Sequence, residues 1–241
     1  MKSFITIIAL LFLLSTTNVA FSQIDKAAIM GAWKAELKDE AGNQFTGVGI
    51  IADGFFSVAK FNMDEKKFIS TLGGSWKLDG NMLKETIEYH TADKSKVGSN
   101  ISSEIKMEGN TLTFVESGET WTKIDDGQPG DLFGAWLITG RDRDGQMNEI
   151  QEGPRKTMKI LSGTRFQWIA YNTATGAFFG TGGGTYTTKD GKYVENIEFF
   201  SRDGSRVGAS LGFSFALKDG DWHHKGKSSK GNPIYEIWSL R

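Results

Sequence analysis

Cysteine is absent from this chain, and its absence excludes disulfides, thiolate metal sites, thiol nucleophiles and the lipid-bearing cysteine of bacterial lipoproteins. Packing alone must hold the fold. An excess of charge is missing as well: 28 Lys and Arg stand against 29 Asp and Glu, a net charge of −1 that gathers neither nucleic acid nor an anionic membrane surface. Only three histidines occur. His90 is expected on an outward face and His223-His224 in a polar stretch beside Asp221, so no inward histidine is expected for a zinc or haem site. The chain has no Gly-x-Ser-x-Gly, no His-Glu-x-x-His and no Ser-His-Asp order, and no cofactor is expected. Helix-length amphipathic stretches are lacking too, apart from the N-terminal segment and a short turn from Asp25 to Met30.

What is present is glycine, 30 residues of it, and 12% aromatics, a composition that excludes disorder and collagen and describes a turn-rich globular chain. The first 22 residues differ from the rest. Lys2 precedes an apolar run from Phe4 to Leu14, too short to span a bilayer, and Ala20 and Ser22 occupy the two positions that a signal peptidase reads. Cleavage after Ser22 is expected, leaving an exported protein, periplasmic or extracellular, with no membrane segment.

The remainder repeats itself. Gly31-Ala32-Trp33 returns as Gly134-Ala135-Trp136, and from Gly54 to Met107 an offset of 110 pairs the two copies without a gap. It matches Phe56 with Phe166, Gly73-Gly74 with Gly183-Gly184, Glu85 and Ile87 with Glu195 and Ile197, and Asp93 with Asp203. Glu119-Thr120-Trp121 is answered by Glu236-Ile237-Trp238. Two domains are expected, 24–125 and 131–241, joined by a linker over 126–130.

Within each copy, short period-two runs alternate with turns such as Asp79-Gly80 and Asp190-Gly191, the pattern of successive antiparallel hairpins. The inward face of one run is predicted to carry Leu83, Glu85, Ile87 and Tyr89, and that of its counterpart Tyr193, Glu195, Ile197 and Phe199. Ile101, Ser103, Ile105 and Met107 correspond to Leu211, Phe213, Phe215 and Leu217. Seven or eight such strands with nothing to cover an edge favour closure, so the fold class is all-β, two tandem up-and-down antiparallel β-barrels after a signal peptide.

Gly-x-Trp in the first strand followed by a meander resembles the lipocalin and wider calycin barrels. The second copy is similar to the lipocalin-like domains of secreted bacterial proteins over Arg165 to Asn172, Gly182 to Tyr186, Tyr193 to Phe200 and Tyr235 to Trp238. The resemblance implies a barrel with a ligand-binding style and no established reaction. It also implies a basic side chain from the last strand over the Trp of the barrel floor, with Lys123 and Arg241 in position for this.

Two carboxylates on apolar faces, Glu85 and Glu195, are the most informative residues, since an ionised group there costs several kcal/mol unless paired or hydrogen-bonded. Either a network inside the lobe satisfies them or they face a ligand. Aromatics concentrate in the second copy and either line a pocket or fill the barrel. The candidate ligand-binding residues are Phe166, Trp168, Tyr186, Tyr193, Glu195, Phe199, Phe213 and Phe215, with Trp76, Glu85 and Tyr89 from the first copy. Gly180 to Thr185 lacks the Lys of a phosphate loop and is expected to form a tight turn, and Asp142-Arg143-Asp144-Gly145 is a turn rather than a calcium loop.

The expected function is binding of a small apolar or amphipathic molecule, mainly in the second lobe, with Glu195 and Tyr193 orienting a polar group. Two alternatives stand beside it. One is a barrel enzyme using Glu195 as general acid or base with Arg165 as its electrophilic partner. The other is an envelope interaction module with filled barrels, acting through exposed loops.

Overall fold

The computed structural model describes residues 23–128, 130–228 and 231–241; the expected signal segment lies outside them. Among the described residues no helix is long and apolar enough to cross a membrane. Asp25 caps a single helical turn, α1 (Lys26–Ile29), and the chain then enters eight strands: β1 (Gly31–Lys38), β2 (Gln44–Ala52), β3 (Phe55–Asn62), β4 (Lys67–Asp79), β5 (Met82–His90), β6 (Asn100–Glu108), β7 (Thr111–Phe114) and β8 (Thr120–Asp125). Each pairs antiparallel with the next, and β8 returns to β1, closing a barrel. Period-two alternation makes this possible, because every strand keeps an apolar side to enclose.

The second half repeats the arrangement with β9 (Gly134–Arg143), β10 (Gln146–Glu149), β11 (Arg155–Leu161), β12 (Arg165–Asn172), β13 (Ala177–Lys189), β14 (Lys192–Phe200), β15 (Ser210–Lys218), β16 (Asp221–Lys227) and β17 (Pro233–Leu240). β17 pairs with β9, so eight of these strands close a second barrel, while β10 folds back on β9 as an appended hairpin. Both barrels seat the indole of their first Trp in the same way: Trp33 Nε1 donates to the Ile29 carbonyl at 2.8 Å, and Trp136 Nε1 to that of Leu132 at 2.9 Å.

The glycine run 180–185, expected as a tight turn, lies inside β13. Its purpose is curvature. Gly184 has φ 156°, and a Cβ there would stand 2.0 Å from the Asn196 carbonyl oxygen, so only glycine permits the strand pair to close up at this bend. Register shifts between Gly183 and Gly184, and equally between Gly73 and Gly74, where a Cβ on Gly74 would meet the Thr86 oxygen at 1.9 Å.

These bulges redirect two side chains. Gly74 faces Ile87, but Gly73 faces Tyr89, so one extra residue on β5 turns Tyr89 from the interior to the outside of the barrel. Phe199, opposite Gly183, is turned out in the same way. The expectation that both lie inside is corrected here.

Outside means between the barrels. Phe61 stacks on Phe199 with centroids 4.8 Å apart, and Tyr89 packs on Tyr171 at 4.7 Å. The offset of 110 converts Phe61 into Tyr171 and Tyr89 into Phe199, so each contact is the other's image. Equivalent residues also meet directly, as Phe68 does Phe178. The two barrels therefore pack about an approximate two-fold axis through the faces of β2–β5 and β11–β14.

The centre of this seam is polar and fully buried. Ser57 Oγ receives a hydrogen bond from Tyr89 at 2.7 Å and donates to Gln167 Oε1 at 2.5 Å, and Gln167 Nε2 donates to Thr71 and Thr181 at 2.8 and 3.0 Å. At the rim, Arg241 pairs with Glu88 at 2.9 Å, and Tyr171 donates to the same carboxyl at 2.5 Å. Burial opposes the charge on Glu88, but the Arg241 and Tyr171 hydrogen bonds outweigh it and hold this carboxyl below its ordinary range.

The end of the first barrel is anchored to the second. The Asp125 carboxylate accepts hydrogen bonds from the backbone of Gly127 and Thr164 and from the hydroxyls of Ser162 and Thr164, binding the end of β8 to the turn between β11 and β12.

Candidate functional site

The interior of the second barrel is built around a buried ion pair. Lys159 Nζ stands 2.8 Å from Glu195 Oε1, and the Tyr193 hydroxyl donates to the same oxygen at 3.0 Å. Glu195 is 4% exposed and Lys159 5%, so the network inside the lobe is what satisfies this carboxylate. Rings surround the ammonium, with Trp222, Tyr193, Trp238 and Phe213 centroids at 4.9, 5.1, 5.3 and 5.7 Å. Such faces carry negative quadrupole potential and stabilise a desolvated cation.

Phe166, Tyr186 and Phe213 are buried in the same core, against which Trp168 and Phe215 pack. Tyr186 donates to the Ser162 carbonyl at 2.6 Å. His224, expected among solvated histidines, is 1% exposed here, its ring 4.2 Å from that of Phe213. The correction has a simple cause: in the polar-looking run Asp221 to Lys227 the alternation places Trp222 and His224 inward and His223 and Lys225 outward. Burial and the nearby Lys159 charge depress the His224 pKa well below its ordinary value, which keeps the ring neutral. Arg165, weighed as a partner for Glu195, instead pairs with Glu198 at 2.5 Å, because residues 165 and 195 use opposite faces of the sheet.

The first barrel is different inside. A cavity of about 160 Å³ lies among Trp33, Phe56, Trp76, Leu83, Leu112 and Trp121, and Gly49 and Glu85 form part of its wall. Trp76 is fixed there by hydrogen bonds to the Ala52 and Phe55 carbonyls at 2.8 and 3.1 Å. Among the described residues Glu85 has no hydrogen-bond or ion-pair partner, and burial pushes its pKa up to about 7. Lys60 and Glu119 are the other charged residues on the wall; Glu119 accepts from Trp121 Nε1 at 2.7 Å.

The strand registers explain why one barrel is hollow. Lys159 lies opposite Trp136 on β9 and Trp168 on β12; Gly49 lies opposite Trp33 on β1 and Val58 on β3. The two positions are equivalent. At four neighbouring equivalent pairs the first barrel also has the smaller residue: Val58 for Trp168, Leu83 for Tyr193, Ser103 for Phe213 and Leu112 for Trp222. Of the sequence-predicted residues, then, Trp76 and Glu85 line a cavity, five join the second core with Glu195 among them, Trp168 and Phe215 pack against that core, and Tyr89 and Phe199 belong to the seam. Lys159 and Gly49 are not among the sequence-predicted residues; Gly49 lies five residues before the gapless stretch that begins at Gly54, and only extending its offset of 110 pairs the two.

At the floor of the first barrel Lys123 Nζ lies 5.3 Å from the Trp33 ring centre and donates to the Ala28 carbonyl at 2.8 Å. Arg241 does not cover Trp136 as expected; its guanidinium lies over Phe55 at 4.0 Å while it pairs with Glu88. A wider groove of about 720 Å³ runs along the outside of the second barrel past Arg141 and Arg241, but both already hold carboxylates, those of Glu236 and Glu88.

The molecule is thus a fused pair of eight-stranded antiparallel barrels, one filled and one hollow. Residues 131–239, essentially the filled barrel, match the family described as "Domain of unknown function (DUF4488)". No curated protein matches the chain.

Proposed function

We propose that this protein is an exported binding protein that holds a small apolar or amphipathic molecule inside its first barrel. The observation that carries the reading is the cavity itself, walled by three indoles and two phenyl rings and containing a carboxyl, Glu85, with no partner among the described residues. Cavities with apolar walls and few polar groups are the usual form of small-molecule sites. An apolar cavity of about 150 Å³ accepts a benzene-sized ligand, so a molecule of roughly four to six carbons matches the 160 Å³ here.

The lipocalin-like resemblance supports the same style of binding, and the Lys123 ammonium over the Trp33 floor agrees with it. Export rests on the residues of the first segment. The site moves from the second lobe to the first because Lys159 and its aromatic cage occupy the second interior. Titration of the purified protein with n-butanol and benzene, followed through indole fluorescence, tests the reading. Saturable binding that disappears when Leu112 is replaced by Trp, the residue at the equivalent position of the filled barrel, is the expected result. Binding of both probes unchanged in Leu112→Trp would move the site elsewhere.

A further inference from the structure

Lys159 shows what the hollow barrel lacks. Its side chain beyond Cα is a four-carbon chain ending in an ammonium, which runs from the wall position equivalent to Gly49 and ends on the carboxylate equivalent to Glu85. Delete that chain from the second barrel and shrink the four neighbouring aromatics as the first barrel does, and the first barrel results: a glycine at the wall, a cavity, and a carboxyl with no partner among the described residues. We infer that the first barrel binds a small primary alkylammonium ion, with its chain among Trp33, Trp76, Trp121 and Phe56 and its ammonium on the Glu85 carboxylate. This rests on the first-barrel binding reading and adds the chemical class of ligand.

Three physical points favour a cation over a neutral or anionic ligand. A carboxyl among apolar walls gains most from an ionic partner that also donates hydrogen bonds, and an ammonium supplies both. The indole faces favour a cation and disfavour an anion. Among the charged wall residues, Glu85 and Glu119 outnumber Lys60, and Lys60 forms no ion pair with Glu85. The second barrel shows that this frame tolerates a desolvated ammonium on the conserved-in-place glutamate, since it holds one at 2.8 Å.

The pairing also dictates a pH profile. Glu85, whose pKa burial raises to about 7, must lose its proton to pair with the ammonium. Amine affinity should rise by up to about tenfold per pH unit below 7 and level off above it; Lys60 and Glu119 are the other charged groups that share the cavity wall with Glu85.

The test compares n-butylamine with n-butanol by calorimetric titration of the purified protein at pH 8, in the wild type, Glu85→Gln and Gly49→Lys. A Cβ at Gly49 meets nothing closer than 3.7 Å, so the lysine can enter along the path Lys159 takes. A ligand of five heavy atoms reaches micromolar affinity at best, so titrations must extend into the millimolar range. The expected result is butylamine binding at least tenfold tighter than butanol, an amine preference abolished by Glu85→Gln, and loss of amine binding in Gly49→Lys together with a raised melting temperature. Equal binding of the two probes, unaffected by Glu85→Gln, would overturn the cation assignment and leave the apolar-binding reading standing. No saturable binding of either probe would overturn both.

Discussion

Where the second barrel has Lys159 the first has Gly49, and the two interiors diverge from that point. Each retains its inward glutamate, yet one is met by an ammonium inside an aromatic cage, while burial lifts the pKa of the other to about 7, so that below that pH it is neutralised by a proton. The comparison teaches that a duplicated frame can keep a costly charged group while changing how it is neutralised. Filled, the position serves the fold. Hollow, it offers the same chemistry to a molecule from outside.

Removing the lysine is the most severe way to break the comparison. Lys159→Ala leaves the Glu195 carboxylate buried with only the Tyr193 hydroxyl for company, and removing one partner of a buried pair destabilises by about 3–5 kcal/mol. Urea unfolding should show the loss, and adding Glu195→Gln should recover part of it, since the uncompensated charge goes too. A Lys159→Ala protein as stable as the wild type would show that the pair is not what holds this core.

Glu85→Gln works in the opposite direction. Because folding raises the Glu85 pKa to about 7, the native state binds the proton that the unfolded chain has released between about pH 4.5 and 7. Stability from this group is therefore present below the unfolded pKa and lost as pH rises through 7. His224 contributes with the reverse slope, since its depressed pKa costs stability below about pH 6.5, so the wild-type curve blends the two. The difference between Glu85→Gln and wild type isolates Glu85: near zero at pH 4.5, rising to about 3 kcal/mol in favour of the variant at pH 8. Melting temperatures across that range check it.

The seam sharpens the comparison differently, because there the barrels are alike. Gln167 occupies the position equivalent to Ser57 and bonds it, Thr71 and Thr181 at once. Gln167→Ala removes three buried hydrogen bonds while Ser57 keeps Tyr89, Thr71 the Val58 carbonyl and Thr181 the Trp168 carbonyl, and at about 1 kcal/mol for each lost bond a destabilisation near 2–3 kcal/mol is expected in chemical denaturation. A single transition that shifts as a whole would show that the barrels unfold together; a split transition would show that the seam is weaker than either core.

The sequence disclosed the duplication, the all-β class, the closing Trp strands and the inward glutamates, because period two and a fixed offset are local signals. It concealed what bulges do. Tyr89 and Phe199 read as interior until one extra residue opposite Gly73 and Gly183 reverses their faces. The glycine-rich stretch 180–185 reads as a turn because composition cannot distinguish a chain reversal from a sharply curved strand. The aromatic count pointed to the second barrel as a pocket, yet aromatics measure filling. Space is left by small residues such as Gly49, Val58 and Leu83, which attract no notice in a sequence.

The smallest expected effect concerns the barrel floors. Lys123 pairs in register with Trp33, and at the equivalent place Leu240 pairs with Trp136. One floor is thus covered by a cation that also holds the Ala28 carbonyl at the end of α1, and the other by an aliphatic side chain left 56% exposed. Burial lowers the Lys123 pKa against the attraction of Asp126 and Asp125, so the ammonium is held there at some desolvation cost. Lys123→Leu should make the first floor like the second, losing one hydrogen bond and one cation–π contact while keeping most of the apolar cover. The net loss expected is about 1 kcal/mol. Its location matters more than its size: hydrogen exchange should quicken at Ala28 and Ile29, whose turn closes the hollow barrel, and stay unchanged at Leu132, which closes the filled one. Equal quickening at both ends would mean that the floors are coupled through the seam.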